Sequence, residues 1–238
     1  MANLIVFKNY NITDNTKWYN DRTNERGLKN HYNAMEEIAI ASAKEFVQDY
    51  DEIIVHRGES ENIRDVFKDH YFEMLKLWEQ GHNVLYVDLD VVFTNPIKYF
   101  SEYNTFRMFN YTDPKSVYSK YYDLKLPNYF NCAIRYHPAS MSQECWDLGN
   151  KMVANWDPEQ WDTEQIIFNA MMWSQGLTLA DVYQPELNYQ FLNSIESTIK
   201  FNALDMIDAK AIHTCGSRGS KIRLQLMQQI RDKTTKRI

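Results

Sequence analysis

The 238-residue chain is 44% hydrophobic and carries 26 Lys and Arg against 32 Asp and Glu, a formal charge of −6. That is enough apolar content for a large core and the wrong sign for a general nucleic-acid surface. The three cysteines, Cys132, Cys145 and Cys215, form no CxxC pair, which argues against a disulfide framework or a structural zinc site and fits a reducing compartment. No apolar run approaches the ~18–20 residues of a membrane span, and the opening MANLIVFKNY has neither a basic leader nor a small-residue cleavage site. The expectation is one cytoplasmic domain over 1–238, with no nucleic-acid partner and no transmembrane segment.

In chain order, Leu4, Ile5, Val6 and Phe7 form a short apolar run that closes on polar Lys8, Asn9, Tyr10 and Asn11, the pattern of a buried strand ending in a loop. Residues 31–50 carry Ala34, Ile38, Ala41 and Phe46 at helical spacing, and 51–56 read as a second strand. A helix over 66–80 closes at Gly81, suited to a helix C-terminus, and leads into Asn83, Val84, Leu85, Tyr86 and Val87, the most apolar strand. Residues 105–111 and 129–136 read as strands, 140–155 and 163–174 as helices, 209–213 as a short late strand. Strands alternating with helices of this length predict an α/β fold with a central, mainly parallel sheet flanked by helices, whose ligands bind beyond the carboxyl ends of the strands.

Asp88 and Asp90 follow the apolar strand directly, so two carboxylates one residue apart arrive at the sheet's carboxyl edge. Such a placement is costly unless something neutralises it. A hard divalent cation, Mn²⁺ or Mg²⁺, does so, taking a few protein carboxylates and filling its other positions with water and substrate phosphates. Asp-x-Asp alone is weak, since acid pairs mostly lie on solvated faces; here an apolar strand precedes it, Val91, Val92 and Phe93 follow, and Thr94, Asn95 and Pro96 then impose a turn.

The segment from Gly81 through Asp88, Leu89 and Asp90 to Pro96 resembles the DxD core of GT-A-fold (Rossmann-like) glycosyltransferases, close to family 8 and related nucleotide-diphosphosugar transferases. The resemblance implies a metal-dependent, hexosyltransferase-type enzyme using a nucleotide-sugar donor, UDP- or GDP-linked, with a glycan, lipid-linked or protein acceptor. It implies retention of configuration, beside the alternative of an inverting enzyme with Asp162 or Glu164 as the acceptor base. It implies that Lys8, Asn9 and Tyr10 border the nucleotide, with Tyr10 able to stack, although any first-strand loop looks similar. Tyr129 to Ile134 is similar to the family's Asn-x-Gly strand beside the donor sugar, with Ala133 where Gly is usual. Asn131 there either bonds sugar hydroxyls or bonds its own backbone. Asp162, Thr163, Glu164, Gln165 and Asn169 resemble a helix start between donor and acceptor. Asp162 also fits a plain N-cap; Glu164 and Gln165 fit an acceptor base and a sugar-polarising group. His213 with the Gly/Ser loop resembles a late motif in which His completes the metal site with Asp88 and Asp90, while Arg218 or Lys221 meets the diphosphate, Lys221 standing two positions late. Arg64 and Lys68 are further basic residues upstream of the DxD strand, where a solvated helix face is the competing reading.

Two rival readings stand beside this one. Asp88-Leu89-Asp90-Val91-Val92 also satisfies the nucleophile pattern of haloacid-dehalogenase-type phosphatases, though those motifs normally open a chain and no later acidic segment completes their site. The other rival is a non-catalytic nucleotide- or glycan-binding protein. The basic stretch 221–238 carries Ile222, Leu226, Met227 and Ile230 on one face, so it either packs on its own domain, the favoured reading, or lies on an anionic membrane.

Overall fold

A computed structural model describes residues 1–12, 29–61, 63–113, 117–119, 124–126, 128–156, 163–182, 188–190, 209–214 and 219–235. Its main sheet has five strands: β1 (Asn3–Ile12), β2 (Glu52–Ser60), β3 (Asn83–Val87), β5 (Arg107–Asp113) and β8 (Tyr129–His137), in the order β2-β1-β3-β8-β5. β4 (Val91–Phe93) lies outside it. β1 pairs in parallel with β2 and β3, whereas β8 runs antiparallel to both β3 and β5. Four strands therefore share one direction, and β8 alone is reversed. The apolar, β-branched stretches predicted as strands are strands, and β3 is the middle one.

The period-two alternation of β1 and β3 splits the core in two. Ile5, Phe7, Leu85 and Val87 face one side, packing with α1 (Lys29–Phe46), β4 and the helix Gly219–Thr235. Leu4, Val6, Val84 and Tyr86 face the other, against α2 (Ile63–Glu79), α3 (Gln143–Val153) and α4 (Thr163–Trp173). A sheet apolar on both faces and covered on both by helices is the α/β arrangement the sequence predicts.

Local chemistry sets the boundaries. Gly81 closes α2 with φ of 79°, the left-handed conformation an L-residue disfavours. Ser142 caps α3, its hydroxyl accepting from the Cys145 N–H. Two short pairings went unforeseen: β6 (Val117–Ser119) with β7 (Leu124–Leu126), and β9 (Asn188–Gln190) beside β10 (Ala211–His213). The one-turn α5 (Leu179–Val182) is also new.

One expectation is corrected. β1 does not end at Phe7; Lys8, Asn9 and Tyr10 pair with His56, Arg57 and Gly58 and lie inside the strand. Their polar side chains looked like a loop, but ladder hydrogen bonds do not depend on side-chain polarity. The basic helix is described over Gly219–Thr235, and Leu226, Met227 and Ile230 are buried. Met227 and Ile230 sit in the α1 side of the core, and Arg231 pairs with Glu45 at 2.6 Å. This apolar face is used within the fold, leaving Ile222 partly exposed at its edge. No described helix is long and apolar enough to cross a membrane.

α3 approaches its neighbours through Gly149, where an added Cβ would lie 2.4 Å from the Tyr71 hydroxyl and 2.7 Å from Met171 Sδ. Both neighbours are buried and cannot retreat into solvent. Gly149→Val should lower stability by at least about 2 kcal/mol through overpacking, about 4–8 °C in Tm for a domain of this size. An unchanged melting temperature would contradict the close approach.

Candidate functional site

β3 delivers Asp88 to the carboxyl end of the middle strand, beside the point between β1 and β3 where the chain reverses its path across the sheet: α1 carries it from β1 outward to β2, and α2 carries it from β2 back past β1 to β3. That crevice is where open α/β sheets bind ligands. The Asp88 N–H donates to the Ala133 carbonyl at 2.8 Å, joining the start of the DxD segment to β8. Asp90 then turns into β4, which pairs antiparallel with β10: Ala211 with Phe93, Ile212 with Val92, His213 with Val91. Thr214 continues the pairing, its N–H and Oγ1 both donating to the Asp90 carbonyl, at 2.9 and 3.0 Å.

That register brings the His213 Nε2 to 3.1 Å from Asp90 Oδ1. One ligand atom each from Asp88, Asp90 and His213 all lie within 4.8 Å of one another. Two carboxylates and an imidazole are a donor set that Mn²⁺ or Mg²⁺ accepts, imidazole favouring the softer Mn²⁺. Asp90 and His213 are buried and Asp88 is half-buried.

The two carboxyls sit in different surroundings. Burial and the like charge of Asp90 push Asp88 above the usual carboxylate range, against the pull of His213 and the Tyr86 hydroxyl, which donates to Asp88 Oδ1 at 2.7 Å. Burial also opposes ionisation of Asp90. There His213 and Arg223 outweigh it and hold the carboxyl well below the usual range. Arg223 Nη1 lies 2.9 Å from Asp90 Oδ2. Like-charge strain of this kind is what a divalent cation relieves, so the residues present fit one.

Behind Asp88, on the α2 and α4 side of the sheet, a buried charged stack supports it. The Arg135 guanidinium lies 4.4 Å from the Tyr86 ring and 4.0 Å from the Phe168 ring. It donates to Glu164 Oε1 at 3.1 Å, and His70 Nδ1 lies 2.8 Å from the same oxygen. Burial pushes the Glu164 carboxyl up while Arg135 pulls it down, the balance lying upward. Glu164 thus faces Arg135 and His70 inside the protein.

The other predicted residues fall as follows. The Asn131 side chain accepts from the Ala133 N–H at 2.9 Å, the backbone-bonding alternative the sequence allowed. Gln165 Oε1 accepts from the Cys132 N–H at 3.2 Å, and Asn169 clamps both backbone groups of Phe130 at 2.8 and 2.9 Å. α4 therefore fastens β8 at the edge of the aspartate pair. Lys8 is buried against Glu73 at 3.0 Å and the Val66 carbonyl, burial pulling its pKa down against Glu73. Asn9 donates to Glu36 and Asn33. Tyr10, its hydroxyl on Glu73 at 3.3 Å, is pushed up to about 12 by burial and Glu73. Lys221 is exposed on the first turn of its helix. Asp162 and Arg218 lie outside the described residues, as does the Arg64 side chain.

Sequence reasoning missed Tyr86, Arg135, His70 and Arg223. Tyr86 was findable, because residues two apart on a strand share a face. Arg223 was visible only as part of a basic stretch.

No family model matches the sequence, and no curated protein sequence matches it significantly. Structural comparison finds likenesses at the level of the fold. A glycosyltransferase involved in glycosylating the major capsid of PBCV-1 matches at TM-score 0.50 and 12% identity, covering 95% of this chain and 99% of that one. The bifunctional glycosyltransferase WbbM matches at TM-score 0.58 and 14% identity over 99% of this chain, which spans about half, 51%, of WbbM. The fold is that of the GT-A glycosyltransferases.

His137, on β8 two residues from Arg135, stacks on Trp146 with ring centroids 5.8 Å apart, and neither ring nitrogen has a partner among the described residues. Burial, then the charge of Arg135, holds both His137 and His70 well below the usual histidine range. The unfolded chain therefore takes up these protons first. Stability is present above the unfolded pKa of about 6.5 and is lost as pH falls below it, by up to about 1.4 kcal/mol per pH unit for each ring. Urea unfolding between pH 7 and 5 should show a shallower decline in His137→Phe than in the wild type. Parallel declines would mean that His137 is protonated in the fold.

Proposed function

We propose that the chain acts as one GT-A unit, a metal-dependent glycosyltransferase that takes a hexose from a UDP- or GDP-sugar and passes it to a glycan, lipid-linked or protein acceptor. The observation that carries the reading is the Asp88, Asp90 and His213 cluster, with ligand atoms within 4.8 Å, at the carboxyl end of the middle strand of a GT-A sheet. The glycosyltransferase neighbours support it.

In this reading Asp90 and His213 would hold the cation directly, and Asp88 would hold the cation or the donor ribose. The Mn²⁺ or Mg²⁺ held there supplies positive charge to a departing diphosphate. Arg223 and Lys221, on one helix beside the cluster, offer further charge to the phosphates, as would Arg218, which precedes that helix in the sequence. Lys8, Asn9 and Tyr10, on the strand next to β3, border the nucleoside. Lys8 and Asn9 act by shaping that wall, since both are engaged within the protein. Asn131 and Gln165 hold the β8 edge that faces the sugar. Burial of Glu164 against Arg135 favours a positioning role for it over that of an acceptor base, which leaves Asp162 for that part if the enzyme inverts. The family resemblance favours retention.

A phosphatase would use Asp88 as a nucleophile, which the GT-A fold does not favour. Release of phosphate from a generic aryl phosphate would support it, and metal-dependent turnover of a nucleotide sugar would exclude a purely binding role.

Two measurements test the proposal. Thermal shifts across UDP-, GDP-, CDP- and TDP-sugars with Mn²⁺ should single out the donor: saturation at 100 times Kd adds about 2.7 kcal/mol, roughly 5–11 °C. No shift with any of them would count against the reading. Asp90→Asn should remain folded and lose at least about a hundredfold in turnover, the loss of roughly 2.7 kcal/mol of transition-state stabilisation. Full activity would remove Asp90 from the metal site.

A further inference from the structure

Both oxygens of the Asp90 carboxylate are engaged inside the protein. Oδ1 lies 3.1 Å from His213 Nε2 and Oδ2 lies 2.9 Å from Arg223 Nη1. Arg223 thus stands where a cation's charge would otherwise act. A guanidinium and a divalent ion cannot share one buried carboxylate without repelling each other over a few ångströms of low-dielectric interior.

Arg223 is also built to let go. Its helix is anchored farther along by Met227 and Ile230 in the core and by Arg231 on Glu45 at 2.6 Å. Its side chain is 32% exposed, so it can swing on its own stem while the helix stays in place. The planar fork that fits a carboxylate fits phosphate oxygens equally well.

We propose that Arg223 is an exchangeable counter-ion: it neutralises Asp90 while the site lacks a cation and moves to the diphosphate of the donor when a cation takes Asp90. The proposal rests on the metal-site reading above. Arg223 therefore competes with the cation when no donor is present and assists when one is, so cation and diphosphate raise each other's affinity by the same factor. A cation alone then binds weakly, and the site loads as a cation–diphosphate unit.

The test is calorimetric titration with Mn²⁺ alone, with folding checked by thermal melts. Removal of a site residue ordinarily weakens binding. Here Arg223→Gln, with Arg223→Met as a second variant, should bind Mn²⁺ about tenfold more tightly than the wild type, about 1.4 kcal/mol. Arg231→Gln, on the same helix but paired with Glu45, should leave Mn²⁺ affinity unchanged. Asp90→Asn should weaken it. Equal or weaker Mn²⁺ binding in both Arg223 variants overturns the exchange while leaving the metal site standing, provided Asp90→Asn still loses affinity. Tightening in Arg231→Gln as large as in Arg223→Gln would trace the effect to a loosened helix and overturn it as well. Unchanged binding in Asp90→Asn would remove the metal site itself.

Discussion

Three residue pairs between β4 and β10, extended by the two bonds from Thr214 to the Asp90 carbonyl, hold together segments 124 residues apart in the chain. Closing so long a connection costs entropy that grows only slowly with length. Burial of Val91, Val92, Phe93, Ala211 and Ile212 offsets it, at about 1.5–3 kcal/mol for each large side chain. Antiparallel register then decides chemistry: His213 opposes Val91, so its ring reaches the carboxylate of the preceding residue. A one-residue slip would turn His213 to the opposite face, leaving two aspartates facing each other without the imidazole.

The two aspartates are supported from opposite sides. Asp90 leans on His213 and Arg223, groups that lie far along the chain. Asp88 leans on Tyr86, whose ring packs against His70 at 3.8 Å and Arg135 at 4.4 Å. Burial and the neighbouring Asp88 hold the Tyr86 phenol well above its usual range, so it remains a donor to Asp88 Oδ1. Arg135 has no exposed surface, and its charge is balanced by Glu164 from α4. A buried pair of this kind adds little net stability, and breaking it by removing one partner is expensive. Its geometric consequence is clearer: α2, α4, β3 and β8 are tied to one point directly behind the aspartate that faces the crevice.

Period and composition were enough to read β3, the Gly81 stop, α1, α2, α3, α4 and the acidic pair after the middle strand, because each is a local pattern with one dominant cause. Strand order was not readable, since which of several apolar strands become neighbours depends on packing across the whole chain. For the same reason the reversed direction of β8 was invisible, although Asn131 and Ala133 were already linked to the site by resemblance. Lys8, Asn9 and Tyr10 misled because a strand was expected to be apolar throughout. They remain in β1 through ladder bonds to β2, with Tyr10 laid over Gly58, where any side chain would meet its ring. His213 was singled out by a motif, but its contact with Asp90 required β10 to find β4. Arg223, 133 residues from Asp90, carried no signal beyond its charge.

The charge balance of the crevice bears on what it is for. A protein that only bound phosphate would line its site with helix N-termini and basic groups. Here the middle strand ends instead in two carboxylates, in a chain already at −6. The Arg223 pairing offsets one of them, and the other is left pushed toward its neutral form by burial and by its neighbour. Such an arrangement disfavours a diphosphate until positive charge enters, and it costs stability in the unloaded protein. Strain of that kind is a reservoir released when the site fills. In the proposed reading, the cation and the donor's diphosphate would then act as one ligand in two parts, Asp88, Asp90 and His213 receiving the cation and Arg223 turning to the diphosphate.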